Sequence, residues 1–312
     1  PDDETNAATI YYRAMEVYGG MGKPTQTTKD WKGRRDPHKR ASFIMITEPV
    51  YKLVVEASQK PNCVFTRNWD DGVTMAFPEY EDMKQFAAIL RDRAVHNALL
   101  GKWQSSLDDL SIAIKLGGHV RQDPTLVATL VGIATEYGVL QSFVEVCAAS
   151  YTDPKFRDAA QKWLAALPAP PDRRRAFDYE IAGIGRFIDQ LSDRETMGEA
   201  LGKDHPKLSG ALVRFLMSTE FGRNSIKSTF LREMHRALEA PYESPHADIQ
   251  RWVEFDSRMQ GQRTVSGKVA SIFAPLAGLQ AKALARVVDL RRMSAVSMWV
   301  MEKHAVSGAL PL

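Results

Sequence analysis

Three consecutive amphipathic segments between Glu79 and Val146 commit much of this chain to packing helix against helix. In the first, Met83, Phe86, Ala87, Leu90, Ala94 and Ala98 recur at the i, i+3, i+4, i+7 spacing of one helical face. Such a face is costly in water and must be buried. Gly101-Lys102-Trp103 breaks the pattern. Ser105 and Ser106, each followed three residues on by an aspartate (Asp108, Asp109), predict the N-cap of a second helix. That helix turns Leu107, Leu110, Ala113 and Ile114 to one side and is expected to stop at Gly117-Gly118. A third is expected to open at Asp123-Pro124, with aspartate as the cap and proline where no N–H is needed. Its stripe is Leu126, Leu130, Ile133, Tyr137, Leu140 and Val144.

The remainder reads the same way. Asn6 caps a first helix that turns Ile10, Tyr11, Ala14, Met15 and Tyr18 inward and ends at Gly19-Gly20. Met21 to Arg40 has no period and reads as a long loop. With Lys32, Arg34, Arg35, His38, Lys39 and Arg40 beside Trp31, it is either a solvated segment or an anion-binding arm. A second helix starts at Thr47 and ends before Pro61. The loop Asn62 to Phe77 follows, and its Asp70-Asp71-Gly72 lacks the alternating oxygen ligands and closing glutamate of a calcium loop. Asp153-Pro154 starts another helix, and the three prolines between Leu167 and Pro171 mark off an N-terminal lobe (1–167) from a C-terminal one (172–312), either separate from the first or continuous with it. In the second lobe, helices are expected within 172–201, from Pro206, from Ile226 after a break at Gly222–Ser225, from Ser244-Pro245, and over Val269 to Val306. No period-2 alternation appears. The expected class is all-α, with helical hairpins stacked as an α-solenoid or an irregular bundle.

A chain of 312 residues with 44% hydrophobic and 25% charged residues buries a sizeable core, and a net charge of +3 is far from a nucleic-acid footprint. The longest apolar region, Ile272 to Met301, is broken by Lys282, Arg286, Asp289, Arg291 and Arg292, so no membrane-spanning helix is expected. Cys63 and Cys147 fit either one disulfide or two buried thiols, and neither has zinc-ligand spacing.

The order Ala94, Gly101, Trp103, Ser106, Leu110, Ala113 resembles the small-residue and aromatic pattern of a tetratricopeptide repeat, with serine where alanine is usual. A wider likeness runs from Asn6 to Val146. It comprises Pro61-Asn62-Cys63, the loop through Trp69 to Gly72, the Gly101-Lys102-Trp103 turn, Gly118-His119, Asp123-Pro124-Thr125-Leu126 and Leu130-Val131-Gly132-Ile133-Ala134. These residues resemble an uncharacterised family of exported helical proteins of planctomycete-type bacteria. Gly308 to Pro311 after a long helix resembles the same family's ending, although His304 stands where an aromatic is usual and the sequence stops soon after. The resemblance implies an exported, all-helical protein and carries over no catalytic residue. A start at Pro1 without Met fits a processed mature form or a trimmed chain equally.

Phosphate-binding glycine loops, a Gly-x-Ser-x-Gly elbow and a His-Glu-x-x-His pair are all missing, so no cofactor or metal is expected. The polar and aromatic candidates for ligand binding are Arg67, Trp69, Asp70, His96, Trp103, His119 and Arg121. His96 and His119 with Arg121 would converge near Asp108 or Asp109 if they form a catalytic cluster. Each also has a structural reading, His96 as a hydrogen-bonded flank residue and His119 as a partner of helix-end carbonyls. The leading expectation is an exported periplasmic or cell-surface scaffold that binds a protein or a cell-envelope component. The alternatives are an unrecognised hydrolase or lyase with an inter-helix cleft, and a structural subunit of a surface assembly.

Overall fold

A computed structural model of the chain describes residues 4–24, 37–69, 75–169, 174–190, 218–239, 245–261 and 275–307. Within them lie eleven helices and no strand, only an isolated bridge between Asn6 and Asn62. They are α1 (Ala7–Gly20), α2 (Pro37–Ile46), α3 (Glu48–Ala57), α4 (Glu79–Leu99), α5 (Trp103–Val120), α6 (Leu126–Ser150), α7 (Pro154–Ala165), α8 (Arg174–Gln190), α9 (Glu220–Glu239), α10 (Pro245–Gln260) and α11 (Pro275–Ser307). The protein is all-α.

The α4–α5 hairpin shows how local chemistry sets the path. Gly101 adopts φ +74°, the left-handed conformation glycine takes without strain. Its N–H donates to the Ala98 carbonyl at 2.9 Å and that of Lys102 to Asn97 at 2.8 Å, the paired bonds of a Schellman turn. The stripe Met83, Phe86, Leu90 and Ala94 is then fully buried, as are Leu110 and Ala113 across from it. Burying one such Leu or Phe side chain contributes roughly 1.5–3 kcal/mol.

Helix α6 is the hub. Val139, Phe143 and Val146 join the first core with residues of α1, α3, α4, α5 and α7. Ile133 and Leu140 pack with Leu284 and Val287 of α11, and Leu126 joins a second core built by α8, α9 and α10. Met298 of α11 reaches back into the first core, where its sulfur accepts from the Cys147 thiol at 3.5 Å. Against expectation, one helix among the described residues, α6 and not the C-terminal helix, is long and apolar enough to cross a membrane. Its contacts with α4, α5 and α11 give the same apolar composition another explanation, a helix packed on several sides.

Several helix ends also differ from expectation. Helix α5 starts at Trp103, before Ser105 and Ser106, and the Ser106 hydroxyl donates back to the Lys102 carbonyl. It runs through Gly117-Gly118 to Val120, and a side chain at Gly117 would press on the Gly132 carbonyl and Thr135 of α6. Helix α6 is capped by Thr125, which accepts from Ala128 N–H at 3.0 Å, and not by Asp123. The aperiodic stretch ends earlier than Arg40, since α2 begins at Pro37, while 25–36 lie outside the described residues. Gly222–Ser225 lie inside α9 and do not break it. The helix expected from Pro206 lies outside the described residues. Asn6 and Asp153 cap α1 and α7 as expected, accepting from Ala8 and Lys155 N–H.

Candidate functional site

Arg67 is the centre of a dense polar cluster. Its side chain is 3% exposed and donates to Glu79 Oε2 at 2.7 Å and to Asp123 Oδ2 at 3.0 and 3.3 Å. The Tyr80 hydroxyl donates to the same Asp123 oxygen at 2.6 Å. Three rings, Phe65, Phe77 and Tyr80, lie 5.0–5.4 Å from the guanidinium carbon, a cation–π enclosure. Burial opposes the Arg67 charge, but Glu79 and Asp123 outweigh it and raise its pKa, while burial and Asp123 push Tyr80 up. Arg67 is therefore held as a cation.

This cluster belongs to a clamp on the loop between α3 and α4. Every polar side chain of the α5–α6 turn from His119 to Asp123, Arg121 excepted, grips that loop. His119 Nε2 lies 3.0 Å from the Lys60 carbonyl, Gln122 donates to the Pro61 carbonyl and accepts from Cys63 N–H at 2.6 Å, and Asp123 takes Arg67. From the other side Asn6 exchanges two hydrogen bonds with the backbone of Val64, and Ala7 N–H donates to Asn62. A carbonyl only accepts, so His119 Nε2 carries the proton and Nδ1 accepts from the Tyr11 hydroxyl at 3.0 Å. Burial depresses the His119 pKa, the Lys60 bond acting against it. Both ring nitrogens are engaged in holding the fold.

The other candidates lie apart from this cluster. Trp69, further along the clamped loop, meets the Tyr179 ring of α8 edge-on at 5.2 Å. Trp103 donates its indole N–H to Asp153 at 2.8 Å, and that bond is the main cause of the lowered Asp153 pKa. Arg121 turns toward Glu136 of α6 at 3.3 Å. Asp70 lies outside the described residues. His96 adjoins Asn97, which donates to Asp109, so His96 sits about 15 Å of helix rise from His119 along α5. The two histidines do not converge. Burial lowers the His96 pKa, as do Arg40, Arg93 and Lys102.

A second polar centre lies at Asp109, expected from the sequence as a capping residue or a meeting point for the histidines but bonded instead to Tyr51 and Asn97. Its carboxylate, 2% exposed, accepts from Tyr51 of α3 and Asn97 of α4, both at 3.0 Å. Arg93 stacks over the Tyr51 ring at 3.6 Å and bonds Glu48. Burial raises the Asp109 pKa to about 6 against the pull of Tyr51, Arg93 and Asn97. No local signal marks these partners, which lie 12 and 58 positions away. Among the described residues, no three His, Cys, Asp or Glu side chains gather as a metal ion would require.

Fold and polar clusters together define an all-helical protein whose buried charges join one helix to the next. Compared with family models, curated proteins and solved structures, the chain matches none.

Proposed function

We propose that the protein is an exported helical scaffold that binds a protein or cell-envelope partner, with the α4–α5 hairpin as a tetratricopeptide-like unit. The observation that carries this reading is the outer face of α11. There Met293, Val296 and Trp299, spaced three apart, are 64%, 60% and 50% exposed. Three large apolar side chains on one helical stripe favour burial against another surface. The engagement of Arg67, Trp103, His119 and Arg121 in internal bonds supports recognition over a site assembled from those residues.

The test is capture from a cell-envelope extract with the intact chain and with a Trp299→Asp variant. The reading requires a partner retained by the former and lost by the latter at equal thermal stability. Equal capture by both proteins would remove the role of α11.

A further inference from the structure

A groove of about 400 Å³ runs between α8 and α9. The helices are antiparallel, Lys227 near the start of α9 pairing with Asp189 near the end of α8. One wall carries Arg174, Asp178 and Ile181, the other Leu231, His235 and Leu238, each set at i, i+4, i+7. The trough is therefore about two helical turns long, roughly 10 Å. Ile181 and Leu238 pack down on the second core, and Leu231 remains 42% exposed, so the floor is apolar and open to solvent. The volume lies within the range of ligand sites.

The rim decides what kind of occupant fits. Arg174 and Asp178 put both signs on one wall, and Arg232 and Glu239 do the same on the other. His235 pairs with Glu239 at 2.7 Å, with both side chains well exposed. A polyanion or an acidic lipid surface would meet Asp178 and Glu239 as repulsion, and a polycation would meet the arginines. A short amphipathic helix with mixed flanking charges satisfies both walls and lays apolar side chains on the floor. We infer that the α8–α9 groove binds an amphipathic helical segment of a partner protein. This extends the proposed binding role to a second surface and stands on residues separate from the α11 stripe.

The experiment uses the full chain and a labelled amphipathic peptide of about 14 residues, leucines at i, i+3, i+4 and i+7 and mixed Glu and Lys elsewhere. Fluorescence anisotropy and circular dichroism should show saturable binding with a gain of peptide helix, and a scrambled peptide of equal composition should not bind. Leu231→Asp should weaken binding about tenfold or more at an unchanged unfolding midpoint. Should that variant fail to fold, Arg232→Glu at the rim takes its place and should weaken binding of a peptide whose glutamates face it. No saturable binding, equal binding of the scrambled peptide, or indifference to the groove substitution overturns the proposal. Loss on Met293→Asp but not on the groove substitution would move the peptide to α11, overturning the groove while leaving the scaffold reading standing.

Discussion

Glu136 on α6 accepts a hydrogen bond from Arg291 Nε of α11 at 2.6 Å, joining residues 155 positions apart. Its other oxygen takes Arg121 at 3.3 Å, and the carboxylate side chain is 3% exposed. One buried anion thus lies between two cations, which fixes α11 along α6. Replacing it with alanine leaves two guanidinium groups uncompensated, and Glu136→Ala should destabilise by about 3–5 kcal/mol. Replacing all three members with apolar residues of similar volume should cost far less, a contrast that urea unfolding of the two variants resolves.

Gly132 sits where α6 crosses the end of α5. A Cβ there would collide with Arg121 Cγ and lie 2.8 Å from the Gly117 carbonyl, and the latter cannot swing aside. Alanine normally favours a helix over glycine by about 1 kcal/mol, but overpacking costs about 1–3 kcal/mol. Gly132→Ala should therefore lower the unfolding midpoint, whereas Gly118→Ala, with open space at its Cβ, should raise it or leave it unchanged.

Asp109 makes stability depend on pH in a distinctive direction. Its folded pKa, about 6, lies above the ordinary 3.8, so the folded state holds the proton more tightly. The contribution is fully present below about pH 4 and is lost as pH rises through about 6, on the order of 3 kcal/mol in all. His119 acts oppositely: its pKa is lowered on folding, so its contribution is present above the usual histidine range and lost on acidification. Denaturant titrations across this window should show that Asp109→Asn removes the acid-side gain and exposes the His119 loss. A parallel pH profile for the variant and the parent would contradict the assignment.

Cys63 and Cys147 are both free and buried. Burial pushes the Cys147 thiol up to about 12 and, with Asp123, raises Cys63 further. A thiol reagent should label neither residue in the folded protein and both after unfolding, since the reactive thiolate is suppressed. Mobility on denaturing gels should not change with reductant.

Of the described helices all but α2, over which no periodic face was read, were legible because apolar periodicity is a local property, and the Ala94–Ala113 hairpin lies where its pattern put it. Choices between neighbouring caps were not. Asp123 and Thr125 are both good N-caps by chemistry, and what separates them is Arg67, 56 positions upstream, which draws Asp123 away. Helix α5 likewise opens at Trp103, directly after the Gly101 turn, and the indole there bonds Asp153, 50 positions on. Gly117-Gly118 reads as a stop in sequence, yet close approach to Gly132 makes the missing side chain a packing requirement inside the helix. Among the candidate residues, Arg67 and Asp109 were both named from the sequence but their partners were not, since Glu79 and Asp123 lie 12 and 56 positions from Arg67 and Asp109 draws on two other helices.

The scaffold reading is tested most directly by photo-crosslinking from α11. A photoreactive residue in place of Val296, 60% exposed on the apolar stripe, should form one dominant adduct in a cell-envelope extract. The same residue in place of Lys84 on α4, whose side chain is 46% exposed, should form none. Met293→Asp should abolish the Val296 adduct without lowering the unfolding midpoint. Equal adducts from both positions, or no adduct from Val296 in the folded protein, would contradict a partner docked on this face.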